Sequence, residues 1–283
     1  MRRNGLLDIH VAVFLFGLAG LFGKWLALPA WGIVLGRTVF AAAALGLVLF
    51  ISGERRLPGE RGTVAQFALL GLILAAHWTT FFHAIQVSSV AVGLLSFSTF
   101  PVFITVIEPY WFNEKRRAID MVTTVLVVAG IGIMIYPSPL GGRIYAGVWW
   151  GTLSGFTFAL LSLLNRKWVR QYPPAVIALY QNAVAAASLS PMLLGPDLHL
   201  DGAQVGLLAL LGVVCTAFSH ALFIRGLTVV RTQLASVIAC LEPVYGIIFA
   251  YLLLRERPSA YTVAGGMVIL LATVVATLRR ASD

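Results

Sequence analysis

Residues 84–114 read AIQVSSVAVGLLSFSTFPVFITVIEPYWFNE, and residues 226–256 read GLTVVRTQLASVIACLEPVYGIIFAYLLLRE. Each stretch opens on a small residue, runs apolar through a central proline, Pro101 or Pro243, and stops at a charged cluster. The prolines stand 142 positions apart (243 − 101), and so do Glu114 and Glu256 (256 − 114). Few residues between them are identical, so what repeats is a pattern. A fixed offset of about half the chain in an apolar protein signals two copies of one architecture.

The rest of the chain shares that apolar character. Hydrophobic residues make up 59% of it and charged residues 11%, against a usual charged share of about 25%. So little charge cannot cover the surface of a soluble protein. Apolar runs of ~20 residues recur, the length that crosses ~30 Å of hydrocarbon as helix. The sequence therefore predicts an all-α membrane protein with spans near 8–28, 32–52, 64–83, 88–111, 118–136, 145–165, 175–195, 203–224, 232–254 and 259–278. Met1-Arg2-Arg3 before the first run resembles a signal peptide, but no small-x-small cleavage site follows, so it reads as a retained first helix. The net charge of +9 lies in short basic clusters between apolar runs. Loop positives that orient spans explain these clusters, and no nucleic-acid partner is expected. Cys215 and Cys240 lack metal-ligand spacing, and no Walker-type glycine loop appears. No metal, cofactor or ATP hydrolysis is expected.

Charge also predicts orientation. With the N-terminus inside, fifteen Lys and Arg fall on the inner face, in clusters such as Arg55-Arg56, Lys115-Arg116-Arg117 and Arg279-Arg280. Only Arg143, Arg255 and Arg257 fall in outer links, which puts both termini in the cytoplasm and the protein in a bacterial-type inner membrane. Divided into residues 1–140 and 141–283, the chain has five spans in each half. An odd number turns the second half upside down. Ten transmembrane helices in two inverted five-helix repeats is an architecture of alternating-access carriers, with the site near the midplane where the repeats meet.

Three further pieces repeat the pattern: Gly36-Arg37-Thr38 leading into an Ala-rich second span, Phe82 to Val92 before Pro101, and Phe223 to Ser236 before Pro243 with Arg255-Glu256-Arg257 after it. Together they resemble the EamA family of the drug/metabolite transporter superfamily, over nearly the whole chain. The resemblance implies a basket of helices around a central cavity, lined mainly by spans one, three, four, six, eight and nine. It implies a carrier of amino acids, other metabolites or drugs, with metabolite and amino-acid exporters the most similar members.

Glu242 is the sharpest candidate residue. It lies about mid-membrane beside Pro243, where a carboxylate costs at least ~2.5–3.5 kcal/mol on insertion scales and must face a cavity or partner. It either couples to protons or holds a substrate ammonium, or it pins a broken helix. Pro101 and Pro243 are candidate helix breaks and gating points, because a mid-helix proline frees a carbonyl one turn earlier. The counterpart of Glu242 in the first half is Phe100, so any charged site is asymmetric. His77 and His220 lie within spans and suit a gate or proton relay as well as a helix–helix hydrogen bond. His83 reads as interfacial. Six tryptophans fall near span ends, whereas Trp78 lies inside its span and, with Phe100 and Tyr245, offers aromatic walls or a cation–π face to an amine. Arg37 and Lys24 read as snorkelling to the interface, with Arg37 alternatively a clamp for a carboxylate. Gln181, the counterpart of Arg37 in the second half, and Asn182 reach substrate or bond between helices. Gly147, Gly151 and Gly155 form a small-residue ridge. Glu108 and Glu114 read as ion-paired near the basic cluster that follows them.

The expected function is a secondary carrier of small metabolites such as amino acids, outward, by alternating access. Protons are a candidate coupling ion, the bilayer is the other partner, and a monomer suffices to enclose a cavity, with a dimer compatible. A multidrug or cationic-compound carrier and a nucleoside carrier are the alternatives within that class. A membrane-embedded enzyme needs converging acids or histidines at one depth. The aspartates Asp8, Asp120, Asp197, Asp201 and Asp283 instead all lie at span ends or in loops. A channel needs a polar ring.

Overall fold

A computed structural model describes residues 5–54, 58, 60–112, 118–135, 141–169, 171–195, 198, 200–230, 235 and 238–282. The basic cluster after Glu114, and Glu114 itself, lie outside these residues. The described chain is helical. That is what a hydrocarbon solvent demands, because a helix satisfies every backbone N–H and C=O within its own segment.

The first span is α1 (Gly5–Ala19) and α2 (Phe22–Trp25), the second α3 (Ala30–Ser52), the third α4 (Arg61–Val87). The fourth is α5 (Val90–Phe97) and α6 (Phe100–Phe112), and the fifth α7 (Ala118–Ile135). In the second half α8 (Gly142–Trp168) and α9 (Pro174–Leu189) precede α10 (Gly202–Gly212) and α11 (Ser219–Gly226), which a π-turn over Val213–Phe218 joins into one span. The last two spans are α12 (Glu242–Leu254) and α13 (Ala260–Ser282). Among the described residues seven spans are long and apolar enough to cross a membrane, and the other three contain the shorter apolar helices Thr124–Ile135, Glu242–Leu254 and Ala260–Ala272. The protein is thus a ten-span, all-α membrane protein of two inverted five-helix repeats around a central cavity.

The two prolines sit differently from the expectation of a proline inside a continuous helix. The chain turns at Ser98-Thr99 and again at Cys240-Leu241, and a new helix starts after each turn. Pro101 is the second residue of α6 and Pro243 the second of α12. A proline in the first turn loses nothing, since the N–H it lacks has no partner there. The turns keep the 142-position offset (240 − 98), so the break itself is part of the repeat.

The most extensive pairings all join a helix of the first half to one of the second: α4 with α8 and α9, α3 with α9, α1 with α11, α5 with α8, and α7 with α13. The α5–α8 contact depends on the expected glycine ridge. A Cβ on Gly151 would stand 2.6 Å from the Ser96 Cβ, and one on Gly155 2.8 Å from the Phe97 carbonyl oxygen. Backbones this close allow dense van der Waals packing where lipid supplies no hydrophobic drive. At the face where the chain begins, Asp8 of α1 takes both Nε and an Nη of Arg225 on α11, at 2.8 and 2.7 Å.

Candidate functional site

A pocket of about 740 Å3, open solvent at its mouth included, lies between the helices. Its wall draws on spans one, three, four, six, eight and nine, together with Arg37 from span two. On α8 the lining begins at Phe158 and continues to Asn165, near that helix's C-terminus. On the eighth span it runs from His220 past the helix end to Leu227. On α5 it is confined to Phe97. The cavity therefore reaches from mid-membrane toward the face where α1 begins, and closes below the opposite face.

Arg37 and Glu242 are the two formal charges of the wall. Arg37 is 2% exposed and Glu242 7%, and no direct ion pair joins them. Instead of snorkelling, Arg37 turns inward. Its Nε donates to Thr216 Oγ1 at 3.0 Å, and its guanidinium lies 3.8 Å over the Trp78 ring. Two local features make this fit. The π-turn after Gly212 lets Thr216 Oγ1 donate to the Leu211 carbonyl at 2.7 Å, turning the oxygen's lone pairs toward α3. Gly212 lies so close to α3 that a Cβ would meet the Arg37 carbonyl at 2.7 Å. π-Turns of this kind concentrate at functional sites. The guanidinium is stacked and bonded at one edge, and its terminal nitrogens remain for a bidentate partner. Glu242 starts α12, and its carboxylate has no hydrogen-bond partner among the described residues.

His77 is fixed by Ser154 of α8. The Ser154 hydroxyl donates to the His77 carbonyl at 3.1 Å, while His77 Nδ1 lies 3.0 Å from the Ser154 carbonyl oxygen and 2.8 Å from its Oγ. A carbonyl only accepts, so Nδ1 carries the proton and the neutral ring keeps Nε2 as an acceptor. Ser154→Ala should lower stability by about 1 kcal/mol in a detergent melt. The Nδ1–H tautomer should survive, read by 15N NMR of the ring, because the carbonyl acceptor remains. His220 packs edge-to-face with Trp78 at 6.0 Å between centroids, and its buried Nδ1 has no partner among the described residues.

Not every candidate from the sequence reaches the cavity. Arg37, His77, Trp78, His220 and Glu242 converge on it. Phe100 stands one layer back, stacked on Phe97 at 5.2 Å and edge-on to Phe158 at 5.0 Å, so it backs the wall rather than forming it. Tyr245 packs edge-on against Phe14 of α1 and is not part of the wall. Gln181 is fully buried and acts through a neighbour: its Nε2 donates to Asn165 Oδ1 at 2.6 Å, and Asn165 lines the cavity. Among the described residues Asn182 bonds only the Ala178 carbonyl of its own helix. Pro101 and Pro243 set the two breaks. His83 meets Trp150 edge-on, and Glu108 is buried, while the basic cluster expected to pair with it lies outside the described residues. Asn165, Ser162, Phe97 and Phe158, all in the wall, do not stand out in the sequence. Asn165 directly precedes Arg166-Lys167 and reads as a span end. Phenylalanines in an apolar run carry no signal of their own. Among the described residues no group of three His, Cys, Asp or Glu is placed to hold a metal.

Known proteins share this architecture. A solved crystal structure superposes on 100% of this chain and 99% of its own with a TM-score of 0.72 at 18% identity, a likeness of fold alone. The uncharacterized transporter YwfM of Bacillus subtilis is 23% identical over 274 residues, covering 95% of this chain and 92% of its own. An S-adenosylmethionine uptake transporter of Rickettsia felis is 25% identical over 240 residues, covering 84% and 79%. Another of that name, from Rickettsia prowazekii, is 22% identical over 275 residues, covering 96% and 91%. Residues 3–136 match the EamA-like transporter family, and residues 145–278 match it a second time. The chain belongs to the EamA-like transporter family, within the drug/metabolite transporter superfamily.

Proposed function

We propose that this membrane transporter is an alternating-access carrier of small metabolites that bear both an amine and a carboxylate on an apolar or aromatic body, amino acids foremost. The observation that carries this reading is one buried carboxylate and one buried guanidinium in a single aromatic-walled cavity. Glu242 holds the ammonium, the terminal nitrogens of Arg37 hold the carboxylate, and Trp78, Phe97 and Phe158 face the body of the substrate. His77 Nε2 accepts a hydrogen bond from it. Nothing reacts; the protein supplies two orientations of one site. The basic clusters favour an inner-membrane protein with cytoplasmic termini, and the cavity then faces the cytoplasm, as loading for outward transport requires.

A second reading takes S-adenosylmethionine as cargo. It rests on the names of the Rickettsia relatives, and that molecule carries the same amine and carboxylate beside an adenine that suits an aromatic wall. Cationic drugs would need Glu242 alone.

Counterflow in proteoliposomes tests these readings. Vesicles loaded with unlabelled neutral, aromatic or cationic amino acids, or with S-adenosylmethionine, are offered the labelled compound at several pH values. Saturable exchange of amino acids, with the corresponding decarboxylated amines exchanging about 10- to 100-fold less well, is the expected result; a charged hydrogen bond of ~1.5–3 kcal/mol sets that scale. Amines that exchange as well as amino acids would remove the role of Arg37 and favour the cation carrier. Exchange confined to S-adenosylmethionine would establish the second reading.

A further inference from the structure

The face opposite the cavity mouth is tied at the joint between α4 and α5. A helix that ends leaves carbonyls unpaired, and one that begins leaves N–H groups unpaired, with partial charges to match. Here those groups find partners elsewhere in the chain. Lys24 Nζ of α2 donates to the Ser88 carbonyl at 3.1 Å, and Arg143 Nε of α8 donates to the Val87 carbonyl at 3.0 Å. On the α5 side, the Val90 N–H donates to both oxygens of Glu256, at 3.0 and 3.2 Å. Two of these three partners come from the second half of the chain.

The backbone is shaped to deliver Glu256. Arg255 caps α12 with φ 55°, and among the described residues it is the non-glycine residue with a positive φ. That turn brings the Glu256 N–H to the Ala250 carbonyl at 3.1 Å and points the side chain back to Val90. A left-handed residue other than glycine is strained and persists only where its surroundings fix it. Burial pushes the Glu256 carboxyl up from its ordinary value, opposed by the Val90 N–H and by Lys24. α5 then leads from Val90 to Phe97 in the cavity wall. The cavity cannot open on this face unless the joint parts from α8 and from the α12–α13 link.

We propose that the Glu256 carboxylate is a latch, holding the carrier closed on the face of the α4–α5 joint until it releases the Val90 N–H. This rests on the carrier reading above, but its test needs no substrate. Ala19 lines the cavity. Ala19→Cys is placed in a chain with Cys215→Ala and Cys240→Ala, and a membrane-impermeant thiol reagent is added to each side of the membrane in turn. Glu256→Ala should raise the labelling rate from the joint's side by roughly tenfold, the scale of a charged hydrogen bond. Glu256→Gln keeps an oxygen for the Val90 N–H and stays within about threefold of the parent. If Glu256→Ala does not fold, Glu256→Ser, whose side chain is too short to reach the Val90 N–H, takes its place and should raise labelling likewise. Parent-like labelling in a folded Glu256→Ala, or in Glu256→Ser where that stands in, overturns the latch, even if counterflow proceeds. Faster labelling without counterflow of any compound would keep the latch and remove the substrate reading.

Discussion

Glu242→Gln should lower amino-acid counterflow by about 10- to 100-fold while leaving the thermal midpoint unchanged or slightly raised. The two readouts come from the same geometry. Gln keeps the shape and one oxygen, so the wall stays closed, but the charge that holds an ammonium is gone. A hydrogen bond to a charged group is worth ~1.5–3 kcal/mol, and each 1.4 kcal/mol is about tenfold. Stability should not suffer, because the carboxylate has no hydrogen-bond partner among the described residues and lies 7% exposed. Removing a buried charge that has no direct partner among the described residues relieves a desolvation cost. A structural pin would behave oppositely, with the midpoint falling and transport falling with it. Counterflow and a detergent melt of one preparation separate the two, and unchanged counterflow would take Glu242 out of the site.

Gly155→Leu should be still more damaging, and for stability first. At this position a Cβ would stand 2.8 Å from the Phe97 carbonyl oxygen and 3.2 Å from the Phe100 amide nitrogen. Both are backbone atoms at the turn between α5 and α6, so neither yields by a rotamer change. α8 must move outward, and Phe158 with it, which opens the aromatic layer of Phe97, Phe100 and Phe158. Overpacking typically costs about 1–3 kcal/mol where side chains can adjust, and a backbone collision exceeds that range. The expected result is loss of folded, monodisperse protein in detergent, whereas Gly132→Leu, at a position with open space around it, should leave yield and melting unchanged.

Much of the fold was legible because a membrane restricts the choices. Apolar runs admit helices only, and the offset between Pro101 and Pro243 survives in the structure as two matching turns. Part of the site was legible for the same reason: a glutamate, an arginine or a histidine inside an apolar run stands out by its cost. Direction was not. Arg37 reads as a residue reaching for the interface, and only the π-turn that presents Thr216 and the exposed face of Trp78 draw it inward. Both belong to other spans, distant in sequence. Phe100 was singled out as the counterpart of Glu242, but a repeat preserves the path of the backbone better than the aim of a side chain. Its ring packs behind Phe97. Asn165 went unnoticed beside two basic residues, and nothing in a sequence announces that Gln181 will orient it.

The pairing of helices across the two halves bears on how such a chain came to exist. α1 lies on α11, α3 on α9, and α5 on the glycine ridge of α8. A single five-span ancestor would therefore have left its tightest surfaces facing lipid, unless two copies met head to tail in one bilayer. An antiparallel pairing of the two halves is the arrangement that buries these surfaces, and joining them in one polypeptide fixes their ratio at one to one.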